Sequence, residues 1–380
     1  MSLFREDVLR DCTAIDYGIV LEGEETIVAL CRKEDAGSLK GLIRRRDNEV
    51  VYNGDRPFIK DLDKIAFPRY EAFELDRCID KKVNALPIVS SRGCPFDCVY
   101  CPVKCSIGET FRVRSAESVV DELAYWHARG YKRFSFSDDN FTLIKERVYA
   151  LCDALESRHL DDLKLSCDNG IRADKADRDL LKRMKEVGFY RIAFGVEGGN
   201  DKVLKNLKKR ESIETIKQRI REACDLGYEV DLFFLIGSPG ETPRDVEDSF
   251  AIARSYPIGT AYFYNIIPFP HTELFGWIRS QGKLLEKPEV YLNDYPILDN
   301  RPLFETPTMS RAERKKALRA AFGVMRRTMQ KAWAQRLSRL GAFGAVLAFL
   351  YTRSFVQDVI LRNKFLRRLV YRLAHAWVRI

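Results

Sequence analysis

The sequence predicts an α/β fold built on a parallel sheet, a (β/α)6 partial barrel of the TIM type. Three observations point to it. Between Ala85 and about Pro270, short β-branched or aromatic apolar runs alternate with longer helical patterns. These units follow one another at roughly thirty-residue spacing, as repeated βαβ units do. Gly130, Gly188 and Gly227 each close a helical segment where a left-handed residue is wanted. An open doubly wound sheet has the same local grammar, and in either architecture the working site lies at the carboxyl ends of the strands.

In chain order, residues 1–84 are too few and too irregular for a complete nucleotide-binding domain. Asp16–Val20 reads as a strand, Gly23–Cys31 as a helix start and Leu42–Asn53 as a hairpin, together the remnant of a larger α/β unit. Residues 85–280 form the barrel. Its strands are expected at Ala85–Ser90, Arg133–Ser137, Leu163–Cys167, Arg191–Val196, Glu229–Ile236 and Thr260–Ile267. Its helices are expected at Ser115–Arg129, Lys145–Ser157, Lys175–Val187, Ile213–Leu226 and Thr242–Ser255, with Ser115 as an N-cap followed by Glu117, Asp121 and Glu122. Residues 281–380 run through Pro-punctuated loops to Pro307 and then a helical region rich in Arg, Ala and Leu.

A chain of 380 residues with 46% apolar and 31% charged side chains is neither disordered nor a small disulfide scaffold. Its net charge of +9 is unevenly spread: Arg311 to Ile380 holds 17 Lys+Arg against 2 Asp+Glu, a net of +15, over a body of −6. Such a block seeks anionic surfaces. Arginines such as Arg326, Arg327, Arg336, Arg339, Arg362, Arg367, Arg368 and Arg372 alternate with apolar residues around the uncharged run Gly341–Tyr351. Those eleven residues are too short for a crossing of about twenty. The tail reads either as amphipathic helices on an anionic membrane surface or as a helical cap with a solvated basic face. Nucleic acid ranks below both, because no RNA-binding module is recognisable. Met1 to Asp16 has no apolar h-region, so a cytoplasmic location is expected, peripheral to the membrane if the tail docks there.

Four of the ten cysteines, Cys94, Cys98, Cys101 and Cys105, sit within twelve residues. Clustered thiols in a long chain read as metal ligands. Cys94, Cys98 and Cys101, spaced C-x3-C-x2-C after an apolar strand, can ligate three irons of a [4Fe-4S] cube and leave the fourth open. Gly93 and Pro95 suit a loop wrapped around an inorganic core. A structural zinc site remains the alternative if Cys105 supplies a fourth ligand; otherwise Cys105 is a passive loop thiol. Cys12, Cys31, Cys78, Cys152, Cys167 and Cys224 are scattered and read as small buried hydrophobes.

With Tyr100 in the aromatic position, Cys94-x3-Cys98-x-Tyr100-Cys101 resembles the signature of the radical S-adenosylmethionine (radical SAM) superfamily. The resemblance covers about Ala85 to Phe275. It implies a [4Fe-4S] cluster whose open iron chelates SAM, and one-electron cleavage of SAM to methionine and a 5′-deoxyadenosyl radical that abstracts hydrogen from substrate. Flavodoxin or ferredoxin is the implied electron donor. It also implies SAM contacts at Tyr100; at Asp138 and Asp139 in the loop after the second strand; at Asp168 and Arg172 after the third; at Glu197 ending the fourth; and at Gly237, Pro239 and Gly240 after the fifth. Read without the resemblance, a solvated turn is the lesser alternative for Asp138 and Asp139, and Glu197 is equally a strand-end structural group. Asn265, Pro268, His271 and Glu273 are expected near the cavity, with no catalytic role assigned.

Before the barrel, Gly23-Glu24-Glu25, Asp61-Leu62-Asp63 and Phe67-Pro68 resemble the connector of the branch that carries an N-terminal cobalamin domain. That branch includes tetrapyrrole cyclases, hopanoid- and lipid-modifying enzymes and methyltransferases. Only the last strand and helix of such a domain are expected here, and no D-x-H-x-x-G motif is present. Cobalamin is therefore not counted among the expected cofactors. The expected activity is hydrogen abstraction from a hydrophobic or membrane-associated small molecule, with lipids or isoprenoids as examples. The alternatives are a cobalamin-dependent methyltransferase, an RNA-modifying enzyme and a non-catalytic iron-sulfur protein.

Overall fold

The structure, a computed structural model, describes residues 1–47, 49–73, 85–292 and 301–353, together with residue 356. Cys78, Arg362, Arg367, Arg368 and Arg372 lie outside the described residues, as does the expected boundary at residue 84.

Six parallel strands form the central sheet: β1 (Leu86–Ile88), β2 (Arg133–Phe136), β3 (Lys164–Ile171), β4 (Phe189–Glu197), β5 (Glu229–Ile236) and β6 (Thr260–Asn265). Each pairs with its neighbour in chain order, from β1 at one edge to β6 at the other. A doubly wound sheet reverses its strand order at a switch point. This one does not, so the partial-barrel expectation holds.

The helices follow the expected grammar: α1 (Ala116–His127), α2 (Lys145–Ser157), α3 (Arg178–Glu186), α4 (Ile213–Asp225) and α5 (Pro243–Ser255). Ser115 caps α1 by accepting from the Ser118 amide, and Thr242 with Asp245 forms a capping box on α5. The apolar stripes of these helices meet the outer side of the sheet in one core that includes Trp126, Phe134, Phe189, Phe234 and Phe250. After β6 come α6 (Glu273–Gln281), α7 (Arg311–Arg336) and α8 (Gly341–Tyr351).

The long basic helix α7 takes the sixth helix position. Ala317, Leu318, Ala321, Val324 and Thr328 are buried, and the Thr328 hydroxyl accepts from the Ala261 amide of β6 at 3.3 Å. Small residues at helical spacing let α7 sit close against the strand. It runs opposite to β5: Arg314 near its start lies at Gly237 beyond the end of β5, and Arg336 at its end pairs at 2.8 Å with Glu229, where β5 begins. The described part of the tail is therefore a structural layer of the barrel first: Arg314 is buried beneath it, while Lys315, Lys316, Arg319, Arg326, Arg327 and Lys331 are exposed on its outside.

The N-terminal segment is a three-stranded antiparallel sheet, Tyr17–Ile19 with Leu42–Arg46 and Glu49–Tyr52, beside the helix Glu24–Cys31. The hairpin is where the sequence placed it. The last strand of a Rossmann-type domain pairs in parallel, whereas Tyr17–Ile19 pairs antiparallel. Buried Glu22 ties this segment to the barrel, accepting from Arg112 at 2.8 and 2.9 Å, from Arg92 at 2.8 Å and from the Ile59 amide at 2.7 Å.

Candidate active site

The loop that leaves β1 bears the cysteines and is pinned along its length. Gly93 has φ +86°, and a Cβ there would stand 2.3 Å from the Thr110 carbonyl oxygen. No other residue fits without moving the backbone. The Cys94 amide donates to the Gly108 carbonyl at 3.2 Å, the Val99 amide to Leu207 at 3.1 Å, and the Leu274 amide to the Val99 carbonyl at 2.8 Å.

Cys94, Cys98 and Cys101 share one electrostatic environment. Burial pushes Cys101 up to about 12, with the charges of Cys98, Cys94 and Asp139 adding to it, and burial also raises Cys94 and Cys98. Such thiols become thiolates only when a cation takes the proton's place. Cys105 points elsewhere, its Sγ 3.8 Å from the His271 carbonyl oxygen. Among the described residues no group of three or more His, Cys, Asp or Glu side chains gathers around a single metal ion. With Cys105 turned away, Cys94, Cys98 and Cys101 are the loop's remaining thiol donors, the set that leaves one iron of a four-iron cluster open. The Asn140 amide, 1% exposed, faces the Cys94 thiol, where it can donate to a cluster sulfide or a bound ligand.

The two aspartates after β2 have separate tasks. Asp138 is fully engaged, accepting from the Ser90 amide at 2.7 Å, the Ser91 hydroxyl at 2.8 Å and Arg147 at 3.2 Å. It locks the end of β1 to the end of β2. Asp139 faces the cysteines and the Gly93 amide, and burial together with the charge of Asp138 raises its pKa. Of the two, Asp139 is placed to meet a ligand's ammonium.

Glu197 ends β4 with φ +65°, at a break in the β4–β5 register. Its carboxylate faces the Tyr100 hydroxyl and accepts from Lys209 at 3.2 Å. Burial, then the charges of Glu197 and the cysteines, hold the Tyr100 hydroxyl far above its ordinary range. A non-glycine residue held left-handed inside a constellation of charge is a mark of function.

Lys209 and Glu211 escaped the sequence reading, because Lys208-Lys209-Arg210-Glu211 looks like a solvated charge run. Lys208 and Arg210 both have positive φ, 54° and 56°. This twisted turn sends Lys208 out to Glu273 at 2.7 Å and Arg210 to Asp97 at 2.7 Å, and turns Lys209 inward, 5% exposed. Lys209 lies 3.5 Å from Glu211, which also faces Arg172 at 3.6 Å. Burial alone would lower Lys209; Glu197, Glu211 and Cys98 outweigh it and keep the amine charged. Arg172, 6% exposed, stacks over Phe96 of the cysteine loop at 3.7 Å.

Asp168, by contrast, is down inside the barrel. It accepts from the Ser135 hydroxyl at 2.8 Å and the Ser166 hydroxyl at 2.7 Å and lies 3.5 Å from Arg191, which bonds Asp231 at 2.9 Å. The structure brings Arg172, not Asp168, to the cysteine loop. The Asp168 and Arg191 side chains are 40% and 33% exposed although they point inside the sheet, so the lumen is an open chamber. Phe233, Tyr262 and Tyr264 form one wall, edge to face at 5.8 and 5.9 Å; a Cβ on Gly170 would meet the Phe233 ring at 3.4 Å, and one on Gly195 would meet Glu197 Oε1 at 2.6 Å.

The loop after β5 is clamped. Gly237 has φ +107°, and a Cβ there would meet Arg314 Nη1 at 2.1 Å. The Gly237 and Ser238 amides donate to Glu241 at 2.5 and 3.2 Å, the Thr308 hydroxyl to the Glu241 carbonyl at 2.8 Å, and Asn206 to the Pro239 carbonyl at 2.8 Å. Burial pushes Glu241 up to about 7, against the pull of the Gly237 amide and the Arg314 charge. Pro239 and Gly240 line a cavity of about 350 Å3 with Val99, Asn206, Leu274 and Trp277. Asn265, Pro268 and Glu273 hold structural bonds, to Arg301, Tyr291 and Lys208 respectively.

Residues 88–253 match the Radical SAM superfamily model. The chain carries a radical SAM domain. An uncharacterized methyltransferase of Pyrococcus horikoshii is 30% identical over 292 residues, covering 74% of this chain and 61% of that protein. The anaerobic magnesium-protoporphyrin IX monomethyl ester cyclase of Cereibacter sphaeroides is 28% identical over 298 residues, covering 75% of this chain and 48% of that one. The chain thus spans about half to three fifths of the length of these curated relatives. Among solved structures, the cobalamin-dependent radical enzyme OxsB with aqua-cobalamin and SAM superposes with a TM-score of 0.64 at 15% identity, over 99% of this chain and 61% of that one. The radical SAM methyltransferase TsrM of Kitasatospora setae gives 0.60 at 20% identity, over 72% and 57%. The likeness to these two structures is one of fold.

The family implies a [4Fe-4S] cluster and SAM, and the residues present fit both: three thiols for three irons, Lys209 and Arg172 for a carboxylate, Asp139 and Glu197 for an ammonium or ribose hydroxyls. The described N-terminal sheet is antiparallel and offers no parallel α/β layer to hold cobalamin, so no step is assigned to that cofactor.

Proposed function

We propose that this chain is a radical SAM enzyme that abstracts hydrogen from a small molecule combining an apolar ring or skeleton with a hydrogen-bond donor. One observation carries the reading: the loop of three thiols places Cys98 beside the buried pair Glu197–Lys209. When bound, a reduced cluster and SAM supply homolysis of the sulfonium and a 5′-deoxyadenosyl radical. The protein's part is positional. Cys94, Cys98 and Cys101 hold the cluster, while Lys209, Arg172, Asp139 and Glu197 fix the amino-acid end of SAM by charge-assisted bonds. The clamped Gly237–Glu241 loop offers close backbone approach for a flat base.

The substrate class rests on the chamber below. Phe233, Tyr262 and Tyr264 suit an apolar ring or skeleton, and the Asp168 carboxylate, 40% exposed beside Arg191, suits a hydroxyl or amine. The test is anaerobic reconstitution with iron and sulfide, a flavodoxin or ferredoxin as reductant, and detection of 5′-deoxyadenosine from the intact protein and from Cys98→Ala. Loss only in the variant supports the proposal; no product from a protein that holds a four-iron cluster refutes it.

A second reading, cobalamin-dependent methyl transfer, is favoured by the methyltransferase relatives and by the OxsB and TsrM folds. It requires cobalamin from outside the described residues. Its mark would be methylated product formed only when hydroxocobalamin is added.

A further inference from the structure

We propose that the exposed face of α8 docks this protein onto an anionic lipid surface, at the end of the barrel opposite the candidate active site. Helix α8 carries no charge over eleven residues and has two unlike faces. Gly344 and Ala348 are buried; a Cβ on Gly344 would meet the Leu337 carbonyl oxygen at 2.2 Å, and Tyr351 packs on Trp333 at 4.4 Å. That face belongs to α7. On the other, Phe343, Val346, Phe349 and Leu350 are 64%, 52%, 41% and 47% exposed. Positions i, i+3 and i+7 of a helix share one side. Four large apolar side chains are thus left in water on one three-turn helix, a patch that in soluble proteins marks a contact.

Charge selects the occupant. Arg339 precedes the helix, and Arg353 follows it with its guanidinium 3.7 Å over the Phe349 ring. On the half of α7 nearer that end the exposed positions include Arg326, Arg327 and Lys331. From residue 354 onward the sequence adds six Lys+Arg against one Asp. A second copy of this chain would bring the same positive charge and be repelled; an anionic bilayer answers both the apolar face and the cations. No helix among the described residues is long and apolar enough to cross a membrane, so the contact is with the surface. Because α7 runs from the mouth of the barrel at Gly237 to its far end at Glu229, α8 lies at that far end and the mouth faces away from the lipid.

The experiment is co-sedimentation of the full chain with phosphatidylglycerol-rich and with pure phosphatidylcholine vesicles, for the wild type and for Phe343→Ser/Phe349→Ser. The expected result is binding to the anionic vesicles alone, weakened by salt and about tenfold by the double substitution. A second variant, Arg339→Gln/Arg353→Gln, keeps the apolar face and is expected to lose the preference for anionic lipid. No wild-type sedimentation, binding that ignores all four substitutions, or a concentration-dependent dimer abolished by the double serine variant would each overturn the proposal. Thermal melting and cluster absorbance of every variant are expected to match the wild type. The docking does not depend on the proposed chemistry, and its failure would leave SAM cleavage untouched.

Discussion

The two ends of this barrel use charge in opposite ways. At the carboxyl end, Lys209, Arg172, Arg314, Glu197, Glu211 and Glu241 are withdrawn from water and face one another or backbone amides. At the amino end, α8 leaves apolar rings in solvent, and Arg326, Arg327 and Lys331 on the second half of α7 are exposed. A folding argument alone predicts the reverse, since burying ions costs free energy and burying Phe343 and Phe349 would return it. On the two proposals made here the difference has one meaning: charges preorganised for a zwitterion at one end, an unburied apolar face for a surface at the other.

The comparison breaks most completely at the cysteines. Cys98→Ala is expected to abolish the four-iron absorbance and all SAM cleavage while leaving the fold intact, since the loop is held by backbone bonds at Val99. Iron content, product analysis and melting on one preparation check this. Arg314→Met comes next. It leaves Glu241 buried without its cation, so a loss of about 3–5 kcal/mol is expected, read by chemical denaturation. A change under 1 kcal/mol would mean that Glu241 is neutral in the folded protein.

Lys209→Met sharpens the assignment of the mouth. SAM affinity is expected to fall roughly 10- to 100-fold, as for loss of one charge-assisted bond, with iron content unchanged. Unchanged affinity would remove Lys209 from the SAM site. Glu241 also sets a pH dependence. Its folded pKa, about 7, lies above the ordinary 4.5, so the native state holds the proton more tightly. Its contribution is complete below 4.5 and is lost as pH rises through 7. Wild type should therefore lose stability relative to Glu241→Gln between pH 5 and pH 8, by roughly 1–3 kcal/mol. The smallest effect is expected at the other end: Phe343→Ser/Phe349→Ser should change stability by no more than about 0.5 kcal/mol.

Much of this was legible in the residue pattern. Period and punctuation located all six strands and five helices, because βαβ units bury continuous apolar runs and end their helices on glycine. The cysteine spacing marked the cluster loop, since ligands of one inorganic core must come from neighbouring residues. Function along the strand ends was only half legible. Asp138 and Asp139 look alike in sequence, yet one is a strut and the other faces the ligand site. Asp168 and Arg172 are four residues apart, but a β-bulge in the β3–β4 pairing separates them into the lumen and the mouth.

What the sequence determined by itself is therefore the periodic and the local: the barrel, its caps, the three thiols and the uneven charge. What only the tertiary structure decided is which charges are buried and with whom. Lys209 turns inward because its two neighbours adopt left-handed backbone, and Arg314 reaches Gly237 because α7 folds back along β5. Spacing along a chain encodes secondary structure, whereas the energy of a charge is set by the water and counter-charges around it. Those are assembled from distant segments, and only the folded chain brings them together.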